Sequence, residues 1–236
     1  MTLQNRTKRV DKETFANRAI YYFLNLQTSD DLPPNIQVMN PFKTIEVKKV
    51  LQRFYNKFFN DSNKRYYVLG INPGRFGGGL TGLSFTDPFA LRTHCGIDNN
   101  LGGQVELSSR FVYMFINSFG GAERFFSKFY LSALYPFAII KDGKNYNFYD
   151  DLELLTVIKP AIISSLKQQV EFGAEKKAVI CFGKKNEKYL KEINDTYNFF
   201  DKILTLDHPR YIMQYKLKSI DKYLEKYNSV FSSLIN

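Results

Sequence analysis

Apolar residues recur along the chain with two different periods, one typical of amphipathic helices and one of buried strands. Over residues 44–59 they return every three or four positions, while lysine and arginine occupy the other side, which predicts a helix. The same reasoning predicts helices over residues 11–26, 108–119, 160–172, 185–194 and 217–234. Asp11 is the expected N-cap of the first helix, and Pro160 is expected at the first position of the 160–172 helix.

Four short apolar runs lie between these helices and predict buried strands. They cover residues 66–71, 129–136, 178–183 and 203–209. Strands that alternate with helices predict an α/β protein, here a three-layer α/β/α sandwich around a central, mainly parallel four-stranded sheet. No domain boundary is evident, so residues 1–236 are expected to form one domain on which the helical residues 1–60 pack. Ligands of such sheets bind beyond the carboxyl ends of the strands.

Composition narrows the class of protein. The chain has 236 residues, 44% of them hydrophobic, which is enough for a full core without disulfides. The two cysteines, Cys95 and Cys181, are expected to be buried thiols in a reducing compartment; two cysteines cannot supply an iron–sulfur cluster or a zinc site, so no metal or cofactor is expected.

The net charge and the targeting signals bear on where the protein acts and on what it binds. No segment reaches the ~20 apolar residues of a membrane span, and the basic N-terminus is not followed by an apolar run. We therefore expect a cytoplasmic protein without a membrane partner, associated with the nucleoid if bacterial. The net charge of +10 is compatible with a polyanionic partner such as nucleic acid.

The most unusual segment is the loop that leaves the first predicted strand, GINPGRFGGGLTGLSF, residues 70–85. Glycine is used where the backbone needs a positive φ or must come close to another group, and loops this rich in glycine are often functional. An elaborate strand-to-helix connection is the simpler interpretation. Phosphate binding is a third, since Gly77, Gly79 and Gly82 satisfy G-x-G-x-x-G, but that pattern starts six residues past the strand and opens no predicted helix.

A second motif, Asp207-His208-Pro209-Arg210, ends the fourth predicted strand. His208 is expected at the ligand-binding edge of the sheet, although a purely structural histidine at a strand end is also possible. The other histidine, His94, has no such placement and is expected at the surface or partly packed.

Together the two motifs resemble those of the single-strand-selective monofunctional uracil-DNA glycosylases. That family reads G-M-N-P-G-P-F-G, followed by T-G and a Phe; here Asn72 and Phe85 stand at the matching positions, thirteen residues apart, without a gap. His208-Pro209 is similar to the start of the family's second motif. The family continues with Ser-Pro-Arg, whereas Arg210 follows Pro209 directly.

A further departure concerns base recognition. The family places an Asn that reads the uracil edge at the end of the second strand, three residues before a proline. Here Ser132 or Ala133 stands at that place before Pro136. The resemblance is therefore to a divergent branch, in which the range of excised bases is an open question.

The resemblance implies a monomeric enzyme that flips uracil out of DNA and hydrolyses its N-glycosidic bond, leaving an abasic site. It implies that Asn72 positions the attacking water and His208 donates to the uracil O2. The base-binding residues that it implies are Ile71, Gly74, Arg75, Phe76, Phe85, Ser132 and Ala133. The DNA contacts that it implies are Pro209, Arg210, Tyr211, Ile212 and Met213, with one of the last three as a wedge; core packing is the alternative for those three.

Two other functions stay open on the sequence. The first is a nucleic-acid-binding module without catalysis, which uses the basic charge and the aromatic residues. The second is a glycosylase for another deaminated base, such as xanthine or hypoxanthine. Excision assays with single-lesion oligonucleotides distinguish all three.

Overall fold

A computed structural model describes residues 13–28 and 31–235 and contains two sheets. The strands are β1 (Ile36–Met39), β2 (Arg65–Gly70), β3 (Phe129–Ala133), β4 (Ala138–Lys141), β5 (Lys144–Tyr146), β6 (Ala174–Phe182) and β7 (Ile203–Leu206). The central sheet has the order β3-β2-β6-β7, with every pair parallel. The predicted α/β/α class with a four-stranded parallel sheet is confirmed.

Ten α-helices connect or flank the strands within the described residues. They are α1 (Phe15–Asn25), α2 (Ile45–Phe58), α3 (Gly78–Thr81), α4 (Pro88–Thr93), α5 (Leu107–Ser118), α6 (Ala122–Phe126), α7 (Leu152–Val170), α8 (Lys184–Tyr197), α9 (Pro209–Tyr215) and α10 (Ile220–Ser232). Three short 3₁₀ helices cover Pro41–Lys43, Phe148–Asp150 and Leu217–Ser219.

The aromatic residues form the core on both faces of the central sheet. Because successive side chains of a strand point to opposite faces, Tyr130 and Phe129 in β3 pack in different layers. Tyr130 lies 5.0 Å, centroid to centroid, from Phe15 of α1. Phe129 lies 4.7 Å from Phe231 of α10. The two helical layers are therefore held to the sheet by separate aromatic clusters.

A second, antiparallel sheet was not predicted. It has the order β1-β4-β5, and the β4–β5 hairpin turns at Asp142 and Gly143, whose φ angles are 49° and 69°. This hairpin lies beside the carboxyl edge of the central sheet, because β4 begins soon after β3 ends. It therefore brings its residues next to the glycine-rich loop.

Several predicted helix boundaries are corrected. α1 begins after Thr14, whose hydroxyl accepts a hydrogen bond from the Asn17 N–H; the proposed cap Asp11 lies outside the described residues. α7 begins eight residues before Pro160, because Asp151 caps its N-terminus by accepting from two backbone N–H groups. The helix continues through the proline since its apolar face is buried against the core.

Candidate active site

A cavity of about 600 Å³ opens at the carboxyl edge of the central sheet. Four segments enclose it: the loop after β2, the residues before α5, the β5 hairpin and the start of α9. The predicted site residues that line it are Ile71, Asn72, Gly74, Arg75, Phe76, Phe85, Ala133, His208 and Arg210. Asn72 and Phe85 are thirteen positions apart in the sequence, and His208 lies more than a hundred positions further on. The parallel strands bring all three to one edge of the sheet.

Asn72 follows β2 and lies half-buried in the wall of the cavity. Its Nδ2 donates to the Tyr146 carbonyl oxygen at 3.0 Å, and its Oδ1 accepts from the Phe148 N–H at 3.4 Å. The hairpin therefore fixes the plane and the orientation of the amide. Nδ2 also lies 3.5 Å from the Pro73 carbonyl oxygen, and Oδ1 keeps a lone pair for a further hydrogen bond.

His208 follows β7 and is the N-cap of α9. Its Nδ1 accepts from the Arg210 N–H at 3.1 Å, which assigns the proton of the neutral ring to Nε2. Burial lowers the pKa of His208 to about 4, and the nearby Arg210 charge acts in the same direction. At neutral pH the ring is uncharged and offers one N–H donor.

Phe85 closes the glycine-rich loop and packs under the cavity. A Cβ on Gly70 would overlap its ring, so glycine is required there for close approach. The ring meets Phe182 edge-on at 5.2 Å and lies 6.1 Å from the His208 ring. Phe85 itself has φ 58°, which is uncommon for a bulky residue. The ring is thus held rigidly as a platform.

The backbone N–H groups of two predicted base-binding residues are bonded to side chains. The Arg75 N–H donates to the Asn145 Oδ1 at 2.9 Å, and the Phe76 N–H donates to the Glu106 Oε1 at 3.3 Å. The Arg75 guanidinium lies 4.4 Å above the Phe76 ring. A ligand oxygen reaches either N–H only by displacing its side-chain partner.

Of the two residues offered as readers of the base edge, only Ala133 lines the cavity. Ser132 precedes it in β3 and so points to the opposite face, where its buried hydroxyl donates to the Gln169 side chain of α7. The expectation that Ser132 contacts the base is corrected by this alternation.

The residues that follow His208 in the second motif form α9. The helical period turns Pro209, Ile212 and Met213 inward, where α9 packs against α5, and all three are buried. This burial favours the core-packing alternative for Ile212 and Met213 over a contact with DNA, and Pro209 is buried with them. Arg210 and Tyr211 are exposed.

Sequence reasoning missed two contributors to the cavity, the β4–β5 hairpin and Glu106. The hairpin had a signal, since Asp142-Gly143 between apolar and polar alternating residues is typical of a tight turn. Glu106 had none, because its place depends on a contact between the start of α5 and a loop some thirty residues earlier.

Groups outside the cavity are accounted for by packing. His94 stacks on Tyr113 at 5.2 Å and bonds to the Asn117 side chain through Nδ1. Cys95 and Cys181 are free and buried, and burial raises the pKa of each thiol to about 12. Within residues 13–28 and 31–235, no cluster of three His, Cys, Asp or Glu suits a metal ion. None of the helices described has the length and apolar character of a membrane span.

Comparison with known proteins agrees with this geometry. The model of the uracil DNA glycosylase superfamily matches residues 56–232. No curated protein matches the chain. The crystal structure of wild-type SMUG2 from Pedobacter heparinus is similar, with a TM-score of 0.90 and 42% sequence identity over 94% of this chain and 99% of that one. These matches support a DNA-repair glycosylase that hydrolyses N-glycosyl bonds. The chain belongs to the uracil-DNA glycosylase superfamily.

Proposed function

We propose that the protein is a monofunctional uracil-DNA glycosylase that starts base excision repair by hydrolysing the N-glycosidic bond of deoxyuridine. The observation that carries the proposal is the meeting of Asn72, Phe85 and His208 in one cavity at the carboxyl edge of the sheet. The bond is inaccessible inside a duplex, so the damaged nucleotide has to leave the stack and enter this cavity.

The Phe85 ring supplies a surface on which the flipped base stacks. Stacking of a base on an aromatic side chain contributes about 1–3 kcal/mol. The ring is already backed by Gly70 and Phe182. It therefore needs no rearrangement before it receives a base.

His208 supplies the donor for the leaving group. As the bond breaks, negative charge develops on the base, and a preorganised N–H aimed at that charge accelerates the reaction by about 10²–10³. The neutral ring with its proton on Nε2 has one donor to offer, and the Arg210 N–H keeps the tautomer fixed. Asn72, held by the hairpin, positions the water that attacks the sugar.

Basic groups at the mouth of the cavity suit a phosphate backbone. Arg75, Lys144 and Arg210 all line it, and the chain carries a net charge of +10. Phosphate contacts release counterions, so the affinity for DNA should fall steeply as salt is raised. A log–log salt slope near zero would remove the basic surface from the proposal.

A second candidate, excision of a larger deaminated base, rests on Ala133. The methyl group at this position cannot form the paired acceptor and donor contacts that an Asn amide gives to uracil. A site that lacks such contacts discriminates less strongly between bases. We therefore propose that the protein excises xanthine to some extent and excises uracil more slowly than family members that carry the Asn.

The test is single-turnover excision from oligonucleotides that carry one uracil, xanthine or hypoxanthine, followed by alkaline cleavage of abasic sites. The protein should excise uracil without added metal. The DNA strand should stay unbroken until alkali is added. Asn72→Ala and His208→Ala should each slow excision about 10²-fold or more, because each removes a group that acts in the transition state. His94→Ala, which removes a histidine outside the cavity, is the matched control and should keep the wild-type rate. Wild-type rates in both site variants would contradict the assignment; DNA binding without excision of any base would indicate a non-catalytic module.

A further inference from the structure

Glu106 is an acidic side chain in the cavity that the proposed mechanism does not use. It immediately precedes α5, is half-buried, and lines the same cavity as Asn72 and His208. The position of the Glu106 side chain depends on the glycine-rich loop that it packs against. A Cβ on Gly74 or on Gly77 would overlap the Glu106 carboxyl group, so both glycines are needed for the carboxylate to lie against the loop that carries Asn72.

The carboxylate is only partly engaged by the protein. The Phe76 N–H donates to Oε1 at 3.3 Å and the Gly77 N–H also faces the carboxylate, so at most two of its roughly four acceptor positions are filled. Among the residues that the structure describes, no Lys, Arg or His lies within ion-pair distance of it, as the ion pairs of the chain involve other acids. Acceptor capacity is therefore left on the side of the cavity.

Charged groups around the carboxylate come from four segments. Asp87, the N-cap of α4, accepts the backbone N–H of Glu106 through Oδ2 at 2.9 Å. Arg75 from the glycine-rich loop, Lys144 from the hairpin, and His208 with Arg210 from the start of α9 face the same cavity. Burial raises the pKa of Glu106, and the Asp87 charge adds to this, while Arg210 acts against it.

We propose, on the basis of the proposed function, that Glu106 is a further catalytic residue: the carboxylate that accepts a proton from the attacking water. The bond from C1′ to the base nitrogen breaks, and its electron pair leaves with the base, whose charge the His208 N–H stabilises. The water oxygen bonds to C1′ and its proton passes to a Glu106 oxygen. The products are the abasic sugar, the base anion and the neutral Glu106 acid, which later returns its proton to the base or to solvent.

This role complements that of Asn72. An amide orients a water molecule but does not accept its proton at neutral pH, and the amide of Asn72 already bonds to the hairpin at both ends. The Glu106 carboxylate lies against this loop at Gly74 and Gly77, two and five residues after Asn72, and supplies the missing acceptor. Proton transfer to a positioned side chain contributes about 10²–10⁴-fold.

The test compares Glu106→Gln with wild type in single-turnover excision of uracil between about pH 4.5 and 8. Gln keeps the length and an oxygen that accepts from the Phe76 N–H, so the loop should be retained. We expect a loss of about 10²-fold or more at pH 7.5, with unchanged DNA affinity and Tm. Glu123→Gln, an exposed acid in the first turn of α6, is the matched control and should keep the wild-type rate.

The pH profile separates catalysis from a structural role. A base acts only when deprotonated, so the wild-type rate should fall as the pH drops through the raised pKa of Glu106, above its ordinary value of 4.5. In Glu106→Gln this limb should be absent, since the remaining group, His208, titrates only near pH 4. Glu106→Asp, which keeps a titratable group, should retain the limb and exceed the rate of the Gln variant, even if both are less stable than wild type.

The outcomes separate this inference from the proposed function. Uracil excision by Glu106→Gln at the wild-type rate, or a slow variant that keeps the wild-type acid limb, would overturn the role of Glu106 and leave uracil excision standing. A wild-type protein that excises no base would overturn both.

Discussion

Buried or half-buried polar side chains lie at both ends of strand β2, and the two groups differ in how fully they are hydrogen-bonded. At the amino end, Arg65 is fully buried between the rings of Phe15 and Phe59. Its guanidinium donates to both carboxylate oxygens of Asp61 and to backbone carbonyl oxygens, including that of Phe126 at the end of α6, at 3.2 Å. All its guanidinium nitrogen atoms have partners, and Arg65 does not line the cavity described above.

At the carboxyl end, the polar groups face a cavity and keep hydrogen-bonding capacity. The side chains of Asn72, Glu106 and His208 are each fixed by a hydrogen bond to a backbone group, and each also lines the cavity. A buried polar group without all its partners lowers stability, so such groups are kept mainly where they do chemistry. The comparison predicts that substitutions at the amino end of β2 lower the stability of the fold. Substitutions at its carboxyl end should instead change the rate of base excision.

The largest effect is expected at the amino end, from Arg65→Met. The substitution removes the cation and leaves the Phe126 carbonyl oxygen without its donor, which should lower the free energy of unfolding by about 3 kcal/mol. This is the low end of the range for a broken buried pair, because the Asp61 side chain is 40% exposed and stays hydrated. Urea unfolding measures the change.

The matched variant at the same pair is Asp61→Asn. Arg65 holds the pKa of Asp61 below its usual range, so the pair stabilises the fold above the unfolded-state pKa and loses this contribution as the pH falls through the lowered value. The difference in stability between wild type and Asp61→Asn should therefore shrink in acid. A folded Arg65→Met protein with a reduced excision rate but full stability would contradict the division between the two ends.

The structure also shows why some elements could be predicted and others could not. α2 was predicted to within a residue at each end, because its apolar stripe and its basic side are local properties. The four strands of the central sheet were predicted for the same reason, although three of the four residues of β7 are only half-buried. Pro160 suggests a helix start, so the sequence underestimates the length of α7. The cap at Asp151 and the buried apolar face outweigh one interior proline.

The candidate site shows the same division between local and tertiary information. Asn72 and His208 were found because their motifs follow buried strands directly. Ser132 and Ala133 could not be separated until the last residue of β3 and its register with Gly70 were known. The outward face of α9 could not be assigned until the segment was known to be a helix packed on α5.

An intermediate effect is expected from Ala133→Asn at the carboxyl end. The amide would offer uracil both an acceptor for N3–H and a donor for O4, which the methyl group cannot do. Single-turnover rates should rise for uracil and fall for xanthine, changing their ratio by about tenfold, as for one added discriminating contact. Ser132→Asn is the matched control. Its side chain belongs to the buried network with Gln169, so it should lower Tm and leave the ratio unchanged. Strict uracil specificity in wild type, unaltered by Ala133→Asn, would show that another group reads the base.

The smallest effect is expected from Tyr211→Ala on α9. The ring is 41% exposed beside the cavity-lining Arg210, and it packs 5.5 Å from the ring of Tyr215. If it fills the space left by the flipped base, its loss should slow excision from duplex DNA several-fold and leave single-stranded DNA nearly unaffected, because only a duplex has to be unstacked. Tyr21→Ala, which removes an exposed ring on α1, should alter neither substrate. Equal losses on duplex and single-stranded DNA would mean that Tyr211 supports the packing of α9, and the wedge would then have to be sought among the other exposed groups around the cavity.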